Sequence, residues 1–388
     1  MPVDVQPSLW LASVPPEEVE VAVVGGGIVG LSTAYWLGRA GKRVAVLEAG
    51  GLACRASGRN AGFLMTGTPE PYAELAGAIG EGAARRLWEV SAENRELLRS
   101  ELLDAGRIDC DFRPEGSWIA AVAGDARQEE GLRASAERLA ALGFDLEWRE
   151  AAEVRRASGS DRLGGAIFQP RDGGLQPVRL CRGLARLSGA QVRTGFAVRE
   201  LAPAGDRVRL AGEAGAILAG RVVLAVNAYA GALLPHLASA VRPMRGQMLA
   251  TAPGARDLPG VWYINEGYEY VRQLGDGTVV LGGCRWAARD VEVGTAETPT
   301  ATVQGALERF LADAFPRFAG RPVRQRWAGT MAFTDDGLPR IGEVPGIPAA
   351  LYAAGFNGHG MSLGFATGRY LARRLLGETA EPLFPLAS

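Results

Sequence analysis

Residues 21–30 read Val-Ala-Val-Val-Gly-Gly-Gly-Ile-Val-Gly, and Glu48 closes the next apolar run, Val44–Leu47. Val21–Val24 has the look of a buried parallel strand. Gly25, Gly27 and Gly30 fit the GxGxxG spacing, and Leu31–Gly41 reads as the helix behind them. Gly25 allows a tight turn, Gly27 lets backbone approach a pyrophosphate, and Gly30 lets helix pack closely on strand. The helix start directs free N–H groups and a positive dipole end at the phosphates. An acidic group after the second strand accepts hydrogen bonds from ribose hydroxyls and repels a 2′-phosphate, which favours FAD or NAD over NADP. Strand, glycines, helix, strand and acid in one unit specify a dinucleotide site, where a lone glycine motif would not.

The chain has 388 residues, room for two domains, since single domains usually run to ~100–200. A formal net charge of −1 names no polyanionic partner, and nucleic acid is not expected. Lys42 is the only lysine, a composition bias rather than a phosphate-binding surface. Cys54, Cys110, Cys181 and Cys284 are widely spaced without a CxxC pair, and with His236 and His359 they complete no metal set. No apolar stretch reaches the ~18 residues needed to cross a bilayer, and the N-terminus lacks an export signal. A reduced, metal-free cytoplasmic protein is the expectation. The leader Met1–Pro16, with Trp10 and Leu11, reads as an arm packed on the body.

Further along, Gly50–Thr68 reads as a loop beside the cofactor and Glu81–Leu103 as a helix. Gly116–Val122 reads as a strand, Ala126–Leu142 as a half-solvated helix, and Pro177 as a helix start. Gln191–Leu201 and Arg207–Leu210 read as β. The apolar run Arg221–Val226 is expected beside Val21–Val24 in one sheet. From Val261 to Gly283 the pattern becomes hairpins, with turns at Asn265-Glu-Gly and Gly275-Asp-Gly. Leu351–Ala354, the turn Gly355–Gly360 and a helix from about Met361 to Leu376 repeat the order strand, glycine turn, helix.

Four stretches occur in one order: Ala56-Ser-Gly-Arg-Asn-Ala-Gly62, Val222–Tyr229, Trp327-Ala-Gly with Asp336–Gly342, and Gly355-Phe-Asn-Gly-His-Gly360. That series resembles the D-amino acid oxidase superfamily of FAD enzymes over nearly the whole chain. Pro7–Trp10, the ASGRN loop and the FNGHG turn are most similar to the γ-glutamylputrescine oxidase branch. The resemblance implies an α/β fold, α+β overall. A discontinuous glutathione-reductase-type FAD-binding Rossmann domain (16–78, 150–236 and 326–388) stands beside a substrate domain with a large antiparallel sheet (79–149 and 237–325).

Carried over by resemblance, Gly25, Gly27, Ile28, Val29 and Gly30 form the pyrophosphate turn, and Glu48 and Ala49 the ribose site. Ala56, Ser57, Arg59, Asn60, Ala61, Gly62 and Phe63 form the loop along phosphates and flavin, and Val198 meets the adenine. Asn227 and Gly329 adjoin the cofactor, and Gly355, Asn357, Gly358, His359, Gly360, Met361 and Ser362 cradle the flavin pyrimidine. A cysteine that attaches FAD in sarcosine oxidase has its counterpart near Met331, so the FAD is expected to be noncovalent.

The implied reaction moves a hydride from the carbon beside nitrogen to flavin N5, and the imine is then hydrolysed. His359, Tyr270, Arg285 and Met331 are the candidate catalytic residues. Tyr268, Tyr270 and Arg272 share a strand face by the period of two; they line a pocket or simply pack the sheet. Arg285 pairs with a substrate carboxylate or is a surface arginine. Met331 and Gly358 stand where glycine oxidase clamps an α-carboxylate with arginines, which disfavours small α-amino acids and favours a larger amine. The lysine that promotes oxygen reaction in sarcosine oxidase falls close to Val280. The partners are therefore an amine or amino acid and either O2 or another acceptor, the alternative being a dehydrogenase subunit passing electrons to a quinone or protein carrier. A third possibility is a nucleotide-binding protein without catalysis. Oligomeric state is left open.

Overall fold

Val21–Val24, Val44–Leu47 and Val222–Leu224 are buried without alternation, as strands covered on both faces must be. In the computed structural model, which describes residues 16–384, they form the middle of an eight-stranded sheet. Glu17–Val24 lies between Gly215–Leu224 and Val44–Glu48 and runs parallel to both. Ile347–Ala354 and then Arg340–Val344 extend one side, and Gln191–Thr194 the other. The hairpin Glu200–Ala204 and Arg207–Gly212 is attached to Gly215–Leu224.

The first helix is Ile28–Arg39, three residues earlier than the Leu31 start expected, because Gly27 is already the extended residue that caps it. A Cβ at Gly30 would overlap the carbonyl of Gly25, so glycine is required where helix crosses strand. The C-terminal helix Gly360–Leu375 packs along Ile28–Arg39, and Gly368 rests on Ser32 with no room for a side chain. That contact ties the last segment of the chain to the first.

The second sheet also has eight strands, in the order Val323–Phe333, Arg242–Thr251, Val279–Gly283, Glu269–Gln273, Val261–Ile264, Ser117–Val122, Leu163–Gln169 and Glu147–Arg149. All neighbours are antiparallel except Val261–Ile264 with Ser117–Val122. In that parallel pair Trp262 is opposite Trp118, and their rings stack at 4.6 Å. The stack belongs to a core closed by the helix Ala301–Ala314, in which Leu307, Leu311 and Phe315 are buried. Truncating Trp262 there removes about 3–5 kcal/mol.

Several expectations change. Gly50–Thr68 contains a helical turn, Ala56–Arg59, and a strand, Phe63–Leu64, paired with Gly173–Gly174. Glu81–Leu103 is α-helical only to Leu98 and continues as a π-helical turn, Arg99–Leu103. Gln191–Leu201 is not one strand: the chain leaves the sheet at Gly195 (φ 73°), which turns Phe196 and Val198 toward a cavity at the carboxyl ends of the strands. Tyr72–Ile79 and Ala151–Ser158 are helices, the second held by the reciprocal capping of Glu150 and Glu153. Leu163–Gln169 and all of Val323–Phe333 pair in the second sheet. The Pro7–Trp10 motif and all but the last residue of the Met1–Pro16 arm lie outside the described residues.

Candidate active site

A cavity of about 680 Å³ opens between the carboxyl ends of the first sheet's strands and one face of the second. That volume sits in the upper part of the ~300–1,000 Å³ range of small-molecule and cofactor sites. The glycine turn Gly25–Val29 and Glu48 line one end; Tyr263, Tyr268, Tyr270, Arg285, Met331 and His359 line the other.

At the dinucleotide end the Glu48 carboxylate accepts the N–H of Gly26 at 2.6 Å and that of Gly50 at 2.7 Å, so it is fixed before any ribose arrives. The Ile28 N–H donates to Ser57 Oγ at 2.9 Å, which brings the Ala56–Arg59 turn against the helix start. Asn60 donates to the Ala56 and Ser57 carbonyls and accepts the Gly62 N–H at 2.7 Å. Arg59 donates to the carbonyls of Cys54 and Ala328 and pairs with Glu297 at 3.0 Å. Both side chains hold the loop in shape. The Thr330 hydroxyl and the Tyr229 hydroxyl are buried in residues of this wall and have no partner among the described residues. Buried polar atoms are rarely left so. A long cavity with a glycine turn, a fixed acid and orphaned hydroxyls fits a bound FAD.

The C-terminal turn is built on three left-handed residues, Gly355, Asn357 and Gly358. Asn227 accepts the Gly355 N–H at 3.0 Å. Asn357 accepts the Thr334 N–H at 2.9 Å and donates to the Gly355 carbonyl. Both asparagines thus brace the turn. His359 immediately precedes the helix Gly360–Leu375, so the positive dipole end of that helix faces the cavity through Gly360, Met361 and Ser362. Burial lowers the His359 pKa from its usual value, against an opposing pull from Glu70, and the imidazole is held neutral.

At the other end Phe63, Tyr263 and Tyr270 form an aromatic corner with ring separations of 5.3–6.3 Å. Tyr270 and Met331 both bound the space over Gly246. Burial pushes the Tyr270 hydroxyl up to about 12, so it is a neutral hydrogen-bonding group rather than a base. Arg285 follows Cys284, whose left-handed φ of 52° starts a short 3-10 turn. Its guanidinium lies 5.5 Å from the Phe333 ring and has no carboxylate partner among the described residues. Burial raises the thiols of Cys110 and Cys181 to about 12, which leaves them inert.

All four candidate catalytic residues lie in the wall, as do most of the candidate cofactor residues. Gly30, Gly62 and Gly355 lie just behind it, where they shape backbone instead of facing the cavity. Arg272 shares a strand face with Tyr270 but does not line the cavity with Tyr268 and Tyr270: it is buried and donates to the carbonyls of Gly62 and Leu175. Val280 packs with Met248 and Ala250 and is not part of the wall. Sequence reasoning missed Glu70, Tyr263, Glu266 and Tyr229. The signal for Tyr263 was present, since it faces Tyr270 across the hairpin. Among the described residues no cluster of three His, Cys, Asp or Glu could hold a metal, and no helix is long and apolar enough to cross a membrane.

A family model described as DAO, FAD dependent oxidoreductase, matches residues 20–374. The gamma-glutamylputrescine oxidoreductase of Escherichia coli (strain K12) is 31% identical over 373 residues, covering 92% of this chain and 84% of its own. A glycine oxidase of Bacillus licheniformis is 29% identical over 373 residues, covering 93% and 94%. Among solved structures, glycine oxidase from Geobacillus kaustophilus superposes with a TM-score of 0.80 at 23% identity, covering 96% of this chain and 97% of its own. L-proline dehydrogenase from P. horikoshii gives 0.77 at 22%, covering 95% and 96%. At those identities the superpositions speak for the fold.

Proposed function

The chain belongs to the DAO family of FAD-dependent oxidoreductases, and on that footing we propose how its cavity divides the work and which amines it takes. The protein is an FAD-dependent amine or amino acid oxidoreductase. Bound flavin supplies the two-electron acceptor for the C–H bond beside nitrogen. Gly25, Gly27–Val29, Glu48, Ala49, Ala56, Ser57 and Val198 would hold the dinucleotide, and the turn from Asn357 to Ser362 would offer the positive end of the Gly360–Leu375 helix to negative charge developing on the flavin. Phe63, Tyr263 and Tyr270 exclude water, and Tyr270 and neutral His359 orient the amine without titrating near pH 7. The first-sheet strands form the cofactor unit and the second-sheet strands the substrate unit; Leu163–Gln169 and Val323–Phe333 go with the latter.

The substrate is an extended amine whose anionic group, where it has one, meets Arg285. The observation that carries this reading is the pairing of apolar Met331 beside Tyr270 with a guanidinium at Arg285 that no protein carboxylate among the described residues neutralises. The relative that oxidises gamma-glutamylputrescine supports it, since that compound carries a terminal amine and a distant carboxylate. Anaerobic mixing with gamma-glutamylputrescine, putrescine, glycine and sarcosine tests it: flavin bleaching by the first at least tenfold faster than by glycine is expected, and the reverse order refutes it.

A carrier other than O2 is the favoured acceptor. Val280 is an apolar packing residue, and Lys42, the only lysine, is ion-paired to Glu20 at 2.9 Å and is not part of the cavity wall. Free cysteines support work in the cytoplasm. Stopped-flow reoxidation by O2 faster than by a soluble quinone would overturn the acceptor assignment.

A further inference from the structure

Arg272 is 4% exposed, yet none of the ion pairs among the described residues includes it. Its Nη1 donates to the Gly62 carbonyl at 2.9 Å and the Leu175 carbonyl at 3.0 Å. Two acids, Asp111 and Glu115, are near enough to act on it, but each is taken by another arginine: Asp111 pairs with Arg113 at 2.9 Å and Glu115 with Arg256. A buried guanidinium satisfied only by carbonyls is costly to keep charged. Burial lowers its pKa to about 10, which still leaves it a cation at neutral pH. The carbonyl it grips belongs to Gly62, whose neighbours Ala61 and Phe63 both line the cavity, and Tyr270 lies two residues back on the same strand. The charge therefore stands one peptide unit behind a stretch of the cavity wall, Ala61–Phe63, and the helix at Gly360 lines the same cavity.

We propose that Arg272 is a positioning residue that also acts electrostatically: it fixes the Ala61–Phe63 wall and, through its uncompensated charge, favours negative charge on the bound flavin, raising its midpoint potential. In a wall of low dielectric such a charge is weakly screened. Its destabilising burial is kept because the electron-rich cofactor, and not a carboxylate of the protein, is the counter-charge. The inference rests on FAD occupying the cavity and not on which amine is oxidised.

The test is the midpoint potential of the holoenzyme, measured by equilibration with a redox dye without substrate and with FAD in excess. Arg272→Gln keeps donors for the two carbonyls but not the charge; it is expected to shift the reduction equilibrium tenfold or more toward the oxidised form, about 30 mV for two electrons. Arg272→Lys keeps the charge and is expected to stay within threefold of the parent. An unchanged potential in the glutamine variant overturns the proposal, as does an equal shift in both variants, which would trace the effect to wall geometry alone. Should the glutamine variant not hold FAD, Arg113→Gln decides: it releases the Asp111 carboxylate toward Arg272 and is expected to lower the potential, and no change there overturns the proposal. A holoenzyme with the expected potentials that no amine reduces would leave this inference standing while refuting the amine reading.

Discussion

Gly282 is directly opposite Tyr270 across the antiparallel pair, and a methyl group at that glycine would overlap the tyrosine ring. The ring lies flat over the neighbouring strand because nothing is there, and this sets its hydroxyl beside Met331. Gly282→Ala must push Tyr270 into the cavity. A displacement of about 1 Å in a positioning group costs up to ~100-fold in rate. The expected result is a fall of roughly 10- to 100-fold in flavin reduction rate by the best amine with FAD content unchanged, read by anaerobic stopped flow; a parent-like rate would show that Tyr270 does not position substrate.

Glu48 holds the glycine turn and the Gly50 N–H together. Glu48→Ala leaves two backbone donors without partners at about 1–3 kcal/mol each. FAD affinity is expected to weaken at least tenfold in fluorescence titrations, and unchanged affinity would remove Glu48 from the dinucleotide site.

Asp172 is fully buried and accepts from Arg95 at 2.6 Å, Ser117 at 2.7 Å, the Thr66 N–H and the Thr66 hydroxyl. It ties the cofactor loop, the helix Glu81–Leu98 and the second sheet into one network. Asp172→Ala strands the Arg95 guanidinium and is expected to cost about 3–5 kcal/mol, visible in urea unfolding; a loss below about 1 kcal/mol, the worth of an exposed pair, would show the network to be dispensable.

His359 binds its proton less readily in the fold than in the unfolded chain, because burial opposes the charge. The unfolded chain therefore holds the extra proton between the lowered folded pKa and about 6.5, and stability rises with pH across that window. The stability this site contributes is complete above about pH 6.5 and is lost as acidity increases. Comparing Tm of the parent and His359→Gln from acid to neutral pH checks this: the variant should lose part of the acid-side slope, and identical slopes would contradict it.

The glycines at 25, 27 and 30, the acid at 48 and the apolar run ending at Leu224 were legible because each is a local rule: a turn, a cap, a strand buried on both faces. The hairpins from Val261 were legible for the same reason. Leu163–Gln169 was not, since Gly164 and Gly165 weaken any strand signal; Gly165 is there because the Trp148 ring covers it from the neighbouring strand, a non-local cause. The face of Arg272 followed from the period of two, but its partners did not, because Gly62 and Leu175 are distant in sequence. Glu70 and Glu266 reach the cavity from turns, where no periodicity announces them.

Bound FAD is expected to take two electrons from an amine held between Tyr270, Met331 and Arg285. The visible spectrum of the purified holoenzyme during anaerobic addition of gamma-glutamylputrescine measures this transfer. The flavin spectrum is expected to bleach within the enzyme's turnover time, and at least tenfold more slowly in Arg285→Met. A protein that carries nicotinamide, or a bound flavin that dithionite reduces but no amine does, would contradict it.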